Sequence, residues 1–196
     1  MRRILTNLYY NQNMKKALFL DRDGVINVDK KYVHKIEDFE FCEGIFELCD
    51  FFQKKGFYLI VVTNQSGIAR GYYTEKDFEI LSAFMCEQFL KKGIKIDKIY
   101  HCPHLEGCEC RKPRAGMLLQ AEKDFDLDLK QSLFIGDNLS DMKAGLNANL
   151  SELILVKKAL DDELRDKIKA EFKPNSFKIF KNLNEIRKFY ETKDKK

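Results

Sequence analysis

The sequence predicts an α/β fold: a Rossmann-like, doubly wound parallel sheet flanked by helices, with no large cap domain. Short apolar runs alternate along the chain with longer amphipathic ones, the pattern of repeated strand–helix–strand units. The chain has 196 residues, which is about one domain at ~150 residues each and enough to bury a core without staples. Polar clusters fall just after the apolar runs, where open parallel sheets bind ligands, outside the carboxyl ends of the strands.

Residues 17–20 are the first strand, ended by Asp21. Residues 43–55 read as a helix, with Ile45, Phe46, Cys49 and Phe52 on one face and Gly56 as the stop signal. A β-branched run over 58–62 is the second strand. Thr74 starts a helix, with Asp77 three residues on as a variant capping box. Its apolar face is Phe78, Leu81, Phe84, Met85 and Phe89, and Gly93 closes it. Residues 96–100 are the third strand, 117–125 a helix, 133–135 the fourth strand, 141–148 a helix and 153–156 the fifth strand. A charged helical stretch follows to about residue 173, then an edge strand near 177–180 and a Lys-rich terminal helix or tail. The expected organisation is an extension over 1–15, one domain over 16–190 and a tail over 191–196, with residues 1–13 dispensable because they carry no motif.

Composition excludes several classes. Thirty-five basic against thirty-one acidic residues leave +4, spread along the chain without the basic stripe of a nucleic-acid binder. No apolar run reaches the ~18 residues of a membrane span. The start carries Arg2 and Arg3 but no sustained apolar stretch, so it is not read as a signal peptide. Phe51, Phe52, Phe84 and Phe89 lie at helical spacing and read as core, and Cys49 and Cys86 as small buried apolar groups. The other notable cysteines, Cys102, Cys108 and Cys110, crowd beside His101 and His104, which reads as metal ligation in a reducing compartment. The expected location is the cytoplasm.

Four motifs carry chemistry. Asp21-Arg22-Asp23-Gly24 ends the first strand and can aim two carboxylates into one crevice. Thr63-Asn64-Gln65-Ser66-Gly67 ends the second, where a hydroxyl and exposed amides can bind phosphate oxygens. Arg111-Lys112-Pro113 supplies fixed cations after the cysteine cluster. Gly136-Asp137-Asn138, with Asp141 beyond, supplies another acid for a divalent cation. Singly, each also fits a polar turn or a helix cap. Together, in the order Asp-x-Asp, Thr, Lys, Asp, they resemble the haloacid dehalogenase superfamily of aspartate-nucleophile phosphotransferases, over residues 16–156.

That resemblance implies Mg²⁺ held by Asp21, Asp137 and the Asp23 carbonyl, offsetting the repulsion between a carboxylate and a phosphoryl group. Asp21 is then the nucleophile that forms an aspartyl-phosphate. Asp23 is the general acid, then base. Thr63 and Lys112 stabilise the equatorial oxygens. No large cap insertion fits between Asp23 and Thr63, so a mutase is disfavoured.

The segment from Cys102 to Cys110 reads C-x-H-x3-C-x-C. Three thiolates and an imidazole make a closed tetrahedral Zn²⁺ set, which is structural because no position stays open. A disulfide between Cys108 and Cys110 would be strained. The resemblance selects His104 over His101 and completes the set Cys102, His104, Cys108 and Cys110. This loop narrows the resemblance to the subgroup of heptose-bisphosphate and histidinol-phosphate phosphatases. It implies a flap of Asp29, Lys30, Lys31 and Tyr32 on the substrate, further substrate contacts from Arg22, Asn64, Gln65, Ser66 and Asn138, and a recognition role for Arg111. The three-residue linker between His104 and Cys108 and a neutral Asn138, where some relatives have lysine, depart from the subgroup pattern. Lys30, Lys31 and Arg111 favour a second anion, hence a sugar bisphosphate. The implied reaction is removal of the 7-phosphate of a heptose 1,7-bisphosphate, in nucleotide-activated heptose synthesis for lipopolysaccharide core. Histidinol-phosphate hydrolysis is the alternative, and a non-catalytic zinc-stabilised binding module the alternative of another class. A monomer acting on a small molecule, with no nucleic-acid or membrane partner, is expected.

Overall fold

The computed structural model describes residues 15–194. Six strands, β1 (Lys16–Leu20), β2 (Phe57–Asn64), β3 (Lys98–Cys102), β4 (Leu133–Gly136), β5 (Glu152–Val156) and β6 (Lys178–Phe180), form one sheet. Their order is β3-β2-β1-β4-β5-β6 and every pairing is parallel. Strands buried on both faces carry near-continuous apolar runs, which is why Ala-Leu-Phe-Leu forms the centre of β1. Successive side chains then serve opposite cores. Leu18, Leu20, Leu59, Val61, Ile135 and Ile154 face one, and Ala17, Phe19, Ile60, Val62, Phe134, Leu153 and Leu155 the other.

Six helices cover these faces. α1 (Ile45–Lys54), α2 (Glu75–Leu90) and α6 (Leu183–Lys193) bury Leu48, Phe52, Leu81, Met85, Phe89 and Ile186 in the first core. α3 (Gly116–Phe125), α4 (Leu139–Asn147) and α5 (Asp162–Glu171) place Met117, Leu118, Met142 and Ile168 against the second. The Thr74 capping box is present: Thr74 Oγ1 accepts from Asp77 N at 3.2 Å and Asp77 Oδ2 from Thr74 N at 2.8 Å. Among the described residues no helix is long and apolar enough to cross a membrane.

The chain leaves β1 for β2 and β3 on one side, then crosses to β4 on the other. That reversal opens a crevice beyond the carboxyl ends of β1 and β4. Between β1 and α1 lies a small flap, pinned by bridges from Asn27 to Asp23 and Phe41 and containing one 3-10 turn, Ile36–Asp38.

Several boundaries differ from expectation by one or two residues, and two have a clear physical cause. β3 starts at Lys98, because Asp97 caps β2 with its own backbone and carboxylate on Leu59, and it runs on to Cys102. At the other end, α6 continues to Lys193, so the tail expected from residue 191 begins inside a helix. Buried Leu183, Ile186 and Tyr190 hold that helix, with Tyr190 edge-on to Phe52 at 5.2 Å. The extension expected over 1–15 lies outside the described residues except for Lys15, which bridges Leu127. Ile186→Ala should lower unfolding free energy by about 2–4 kcal/mol, whereas Lys188→Ala on the exposed face of the same helix should change it by less than ~0.5 kcal/mol. Urea denaturation of the two variants checks this, and equal small effects would show that α6 is not part of the core.

Candidate active site

A crevice of about 340 Å³ at the carboxyl ends of the strands is lined by Asp21, Asp23, Asp29, Thr63, Asn64, Arg111, Lys112, Asp137, Asn138 and Ser140. Asp21 sits just past β1 and is still tied to β4, its N–H donating to the Ile135 carbonyl at 3.0 Å. Its Oδ1 accepts from the Arg22 N–H at 2.7 Å and lies 2.9 Å from Lys112 Nζ. No hydrogen bond from the described residues engages Oδ2.

Lys112 is buried, and its ammonium is surrounded by oxygen. Nζ donates to the Val62 carbonyl at 2.9 Å and pairs with Asp141 Oδ1 at 2.7 Å, in addition to Asp21. Burial works against its charge, but Asp141 and Asp21 together hold its pKa above the ordinary lysine value. Its main chain is fixed by the Asn64 side chain, which accepts from the Lys112 N–H and donates to the Lys112 carbonyl, each at 3.0 Å.

Asp137 follows β4, and Asp141 opens α4. Asn138 is the N-cap: its Oδ1 accepts from Ser140 N, while Asp141 Oδ2 accepts from Asn138 N at 3.0 Å. One oxygen from each of Asp21, Asp137 and Asp141 lies within 4.8 Å of the others. Two glycines allow this convergence. A Cβ on Gly24, whose φ is +83°, would stand 2.4 Å from Asp137 Oδ2, and one on Gly136 would stand 2.4 Å from Asp141 Cβ. Asp137 Oδ2 also pairs with Lys157 Nζ at 3.4 Å.

Cys102, His104, Cys108 and Cys110 form the second constellation, with ligand atoms within 4.8 Å of one another. The sulfurs stand 3.0–3.4 Å apart, and His104 Nδ1 lies 3.5 Å and 3.6 Å from Cys110 and Cys102. Zinc bonds of about 2.3 Å to sulfur and 2.0–2.1 Å to nitrogen give tetrahedral edges of about 3.5–3.8 Å, close to this spacing. All six cysteines are free thiols. His101 lies outside the set and pairs with Glu75 at 2.9 Å.

The family model described as HAD-hydrolase-like matches residues 109–186. The chain is 63% identical over 179 residues to the D-glycero-alpha-D-manno-heptose-1,7-bisphosphate 7-phosphatase of Campylobacter jejuni, covering 91% of this chain and 98% of that protein. It belongs to the heptose-bisphosphate phosphatase family of HAD-like hydrolases. A Helicobacter pylori relative named for the beta anomer is 52% identical over 147 residues, covering 74% of this chain and 85% of the relative. Among solved structures, the chain resembles the D,D-heptose 1,7-bisphosphate phosphatase of B. bronchiseptica complexed with magnesium and phosphate. That match has a TM-score of 0.79 and 26% identity, covering 91% of this chain and 99% of that one.

Several of the residues expected to touch substrate lie off the lining of this crevice. Arg22 is buried and does not line the crevice. Its guanidinium grips Asp23 through Nε at 3.2 Å and Nη2 at 2.9 Å, and donates to the Val33 carbonyl at 2.7 Å. Gln65 is also buried, bonded to Asp23, Thr63 and Tyr73. Lys30 pairs with Glu40 at 3.0 Å, Tyr32 packs edge-on to Tyr72 at 4.8 Å, and Lys31 and Ser66 likewise do not line the crevice. Of the three cations expected to favour a second anion, only Arg111 lines it, steadied by its bond to the His104 carbonyl at 3.2 Å. The acidic trio is completed by Asp141, while the contact expected of Asp23 is through its backbone carbonyl. Lys157 was missed, although it stands one residue past the fifth apolar run, the placement shared by the other motif residues.

Burial raises Asp21 well above the usual carboxylate range; Lys112 opposes the rise, while Asp141 and Asp137 add to it. Burial likewise pushes Asp137 up to about 6 against the pull of Lys157. A carboxyl raised on folding binds more protons in the folded state, so its contribution to stability falls as pH climbs from the unfolded value towards the folded one. Without added Mg²⁺, Asp137→Asn should therefore be more stable than wild type by about 2 kcal/mol at pH 8, with the gap closing near pH 4. Urea unfolding at the two pH values measures it, and a variant less stable at pH 8 would contradict the assigned strain.

Proposed function

We propose that this protein is a phosphatase that removes the 7-phosphate of D-glycero-α-D-manno-heptose 1,7-bisphosphate through an aspartyl-phosphate on Asp21. The observation that carries the reading is the Asp21 carboxylate itself: one oxygen held by Lys112 and a backbone N–H, the other without a hydrogen bond among the described residues. The α anomer is favoured because the relative at 63% identity is named for it, while relatives at 44–52% are named for the β anomer.

In this reading Asp21 Oδ2 attacks phosphorus as the leaving alkoxide departs on the opposite side. Lys112, Thr63 and neighbouring backbone N–H groups hold the phosphoryl oxygens as charge redistributes. Asp23 gives its proton to the alkoxide and later takes one from the water that hydrolyses the acyl phosphate. Its carboxylate starts parked on Arg22, Asn27 and Gln65. Arg111 meets the second phosphate, which is the feature that distinguishes a bisphosphate from histidinol phosphate.

The acidic trio fits Mg²⁺. Three carboxylates face two lysines, the ligands are hard oxygens, and burial raises the pKa values of Asp21 and Asp137 as expected for crowded anions awaiting a cation. Asp21 and Asp137, with the Asp23 carbonyl, would hold the ion, and Asp141 would hold Lys112 beside it. When bound, Mg²⁺ offsets the repulsion between the carboxylate and the phosphoryl group. The Cys/His set fits zinc by donor type and spacing, and would stiffen the loop that delivers Arg111 and Lys112. The free thiols suit a reducing cytoplasm.

A kinetic panel of α- and β-heptose 1,7-bisphosphate, fructose 1,6-bisphosphate and histidinol phosphate should show the α-heptose ester with the highest kcat/KM. Asp21→Asn should abolish turnover and acyl-phosphate formation with the fold intact; retention of more than about a tenth of kcat, a cost of only ~1.4 kcal/mol, would exclude the covalent route.

Metal analysis should find zinc in protein purified without chelator and none in Cys108→Ala. That variant should keep its far-UV circular dichroism. It should lose more kcat/KM on the bisphosphate than on p-nitrophenyl phosphate, which makes no use of Arg111. Equal losses would break the proposed link between the zinc loop and recognition.

A further inference from the structure

We propose that Gln65 and Tyr73, which do not line the crevice, are positioning residues that turn the Thr63 hydroxyl so that its proton points at the substrate phosphoryl group. The inference rests on the reading of Thr63 as a phosphoryl-oxygen donor. Gln65 and Tyr73 are buried at 2% and 6% exposure. Gln65 Nε2 lies 3.1 Å from Asp23 Oδ2 and 2.8 Å from Thr63 Oγ1, and Gln65 Oε1 lies 2.5 Å from the Tyr73 hydroxyl.

Donor accounting fixes every proton in this chain. Asp23 Oδ2 already accepts from the Arg22 guanidinium, so the amide turns its nitrogen, not its oxygen, towards that atom. The second amide N–H then goes to Thr63 Oγ1. Thr63 accepts there, and no other hydrogen bond engages Oγ1 among the described residues, so its own proton is left for the crevice that Thr63 lines. The far side of the amide is oxygen and needs a donor. Tyr73 supplies it, and burial pushes its phenol up to about 12, so the donated proton stays in place at working pH.

Tyr73 is itself held by shape. Its ring stacks on His34 at 5.1 Å with the planes 7° apart. It also crosses so close to residue 67 that a Cβ there would stand 2.1 Å from ring Cε1. Only glycine leaves room for the ring. Asp23 at one end and Tyr73 at the other therefore hold the amide in one orientation, and Thr63 receives the result.

The test is a double-mutant cycle on the full chain with the heptose bisphosphate. Gln65→Met keeps length without N–H groups, and Tyr73→Phe keeps the ring without its hydroxyl. In the wild-type background, Gln65→Met should lower kcat about tenfold and Tyr73→Phe about threefold, with KM changed less than about twofold, as expected for a hydrogen bond made chiefly in the transition state. In a Thr63→Val background, Tyr73→Phe should change kcat by less than about twofold and Gln65→Met should cost at least about threefold less than in wild type, the remainder being its separate bond to Asp23. Equal losses in both backgrounds, or no loss from either variant in wild type, would overturn the inference. Should Gln65→Met fail to fold, Tyr73→Phe carries the cycle alone. If Thr63→Val itself keeps wild-type kcat, the reading of Thr63 fails instead, a result distinct from additive losses.

Discussion

The buried ammonium of Lys112 organises the carboxyl end of the sheet. An unpaired charge in that position would be expensive enough to lose its proton or refuse to fold. Here it is met by Asp21 from β1, the Val62 carbonyl from β2 and Asp141 from α4. Three elements distant in sequence must converge to satisfy one side chain, so the fold and the candidate site share one constraint. The Asn64 amide holds the lysine's main chain, and the Asn138–Asp141 cap ties the start of α4 to the same point. A carboxylate that caps the start of a helix, balances a buried cation and crowds two other acids is under three demands at once. That explains why only glycine fits at 136, against the Asp141 side chain.

The Cys/His loop solves a different problem. From Cys102 to Arg111 the chain is largely exposed, and Leu105, one of its few apolar side chains, is itself exposed, so a hydrophobic anchor is not available. In the proposed zinc reading, four ligands converging within this one segment would supply the rigidity that apolar packing supplies elsewhere. Its two ends are built into firm ground: Cys102 closes β3 in the second core, and Gly116 starts α3 after its N–H bonds the Glu109 carbonyl. A cation delivered by this loop is thus referenced to the sheet.

Much of this was legible in the sequence, and the misses have a common cause. The strands and the placement of the motifs follow from apolar runs and what comes after them, which is why Asp21, Thr63, Lys112 and Asp137, grouped from the sequence, line one crevice. Adjacency does not say which way a side chain turns. Arg22, between two acids, turns inward to Asp23 and Val33, and Gln65 turns under Thr63 instead of outward. Lys30 finds Glu40, ten residues away, which the local pattern does not reveal. Asp141 fitted both a helix cap and a metal-site acid in the sequence; the geometry places it in the cap of α4, paired with Lys112 and close to Asp21 and Asp137. Tyr73 had no sequence signal, because its place depends on the turn at Gly67.

The flap and the candidate acid are not independent parts. Arg22 binds Asp23 with one side of its guanidinium and the Val33 carbonyl with Nη2. His34, next in the flap, stacks on Tyr73, whose hydroxyl ends at Gln65 and so again at Asp23. Two routes, one ionic and one through an amide, therefore run from residues 33 and 34 to a single carboxylate. A shift of the flap cannot leave both sets of bonds unchanged, since Val33 and His34 are neighbours on one backbone. Small movements over the crevice must be felt at Asp23 through Arg22 or through Gln65. With no cap domain among the described residues, the candidate acid can in this way stay sensitive to what lies above it, through a short flap in place of a lid.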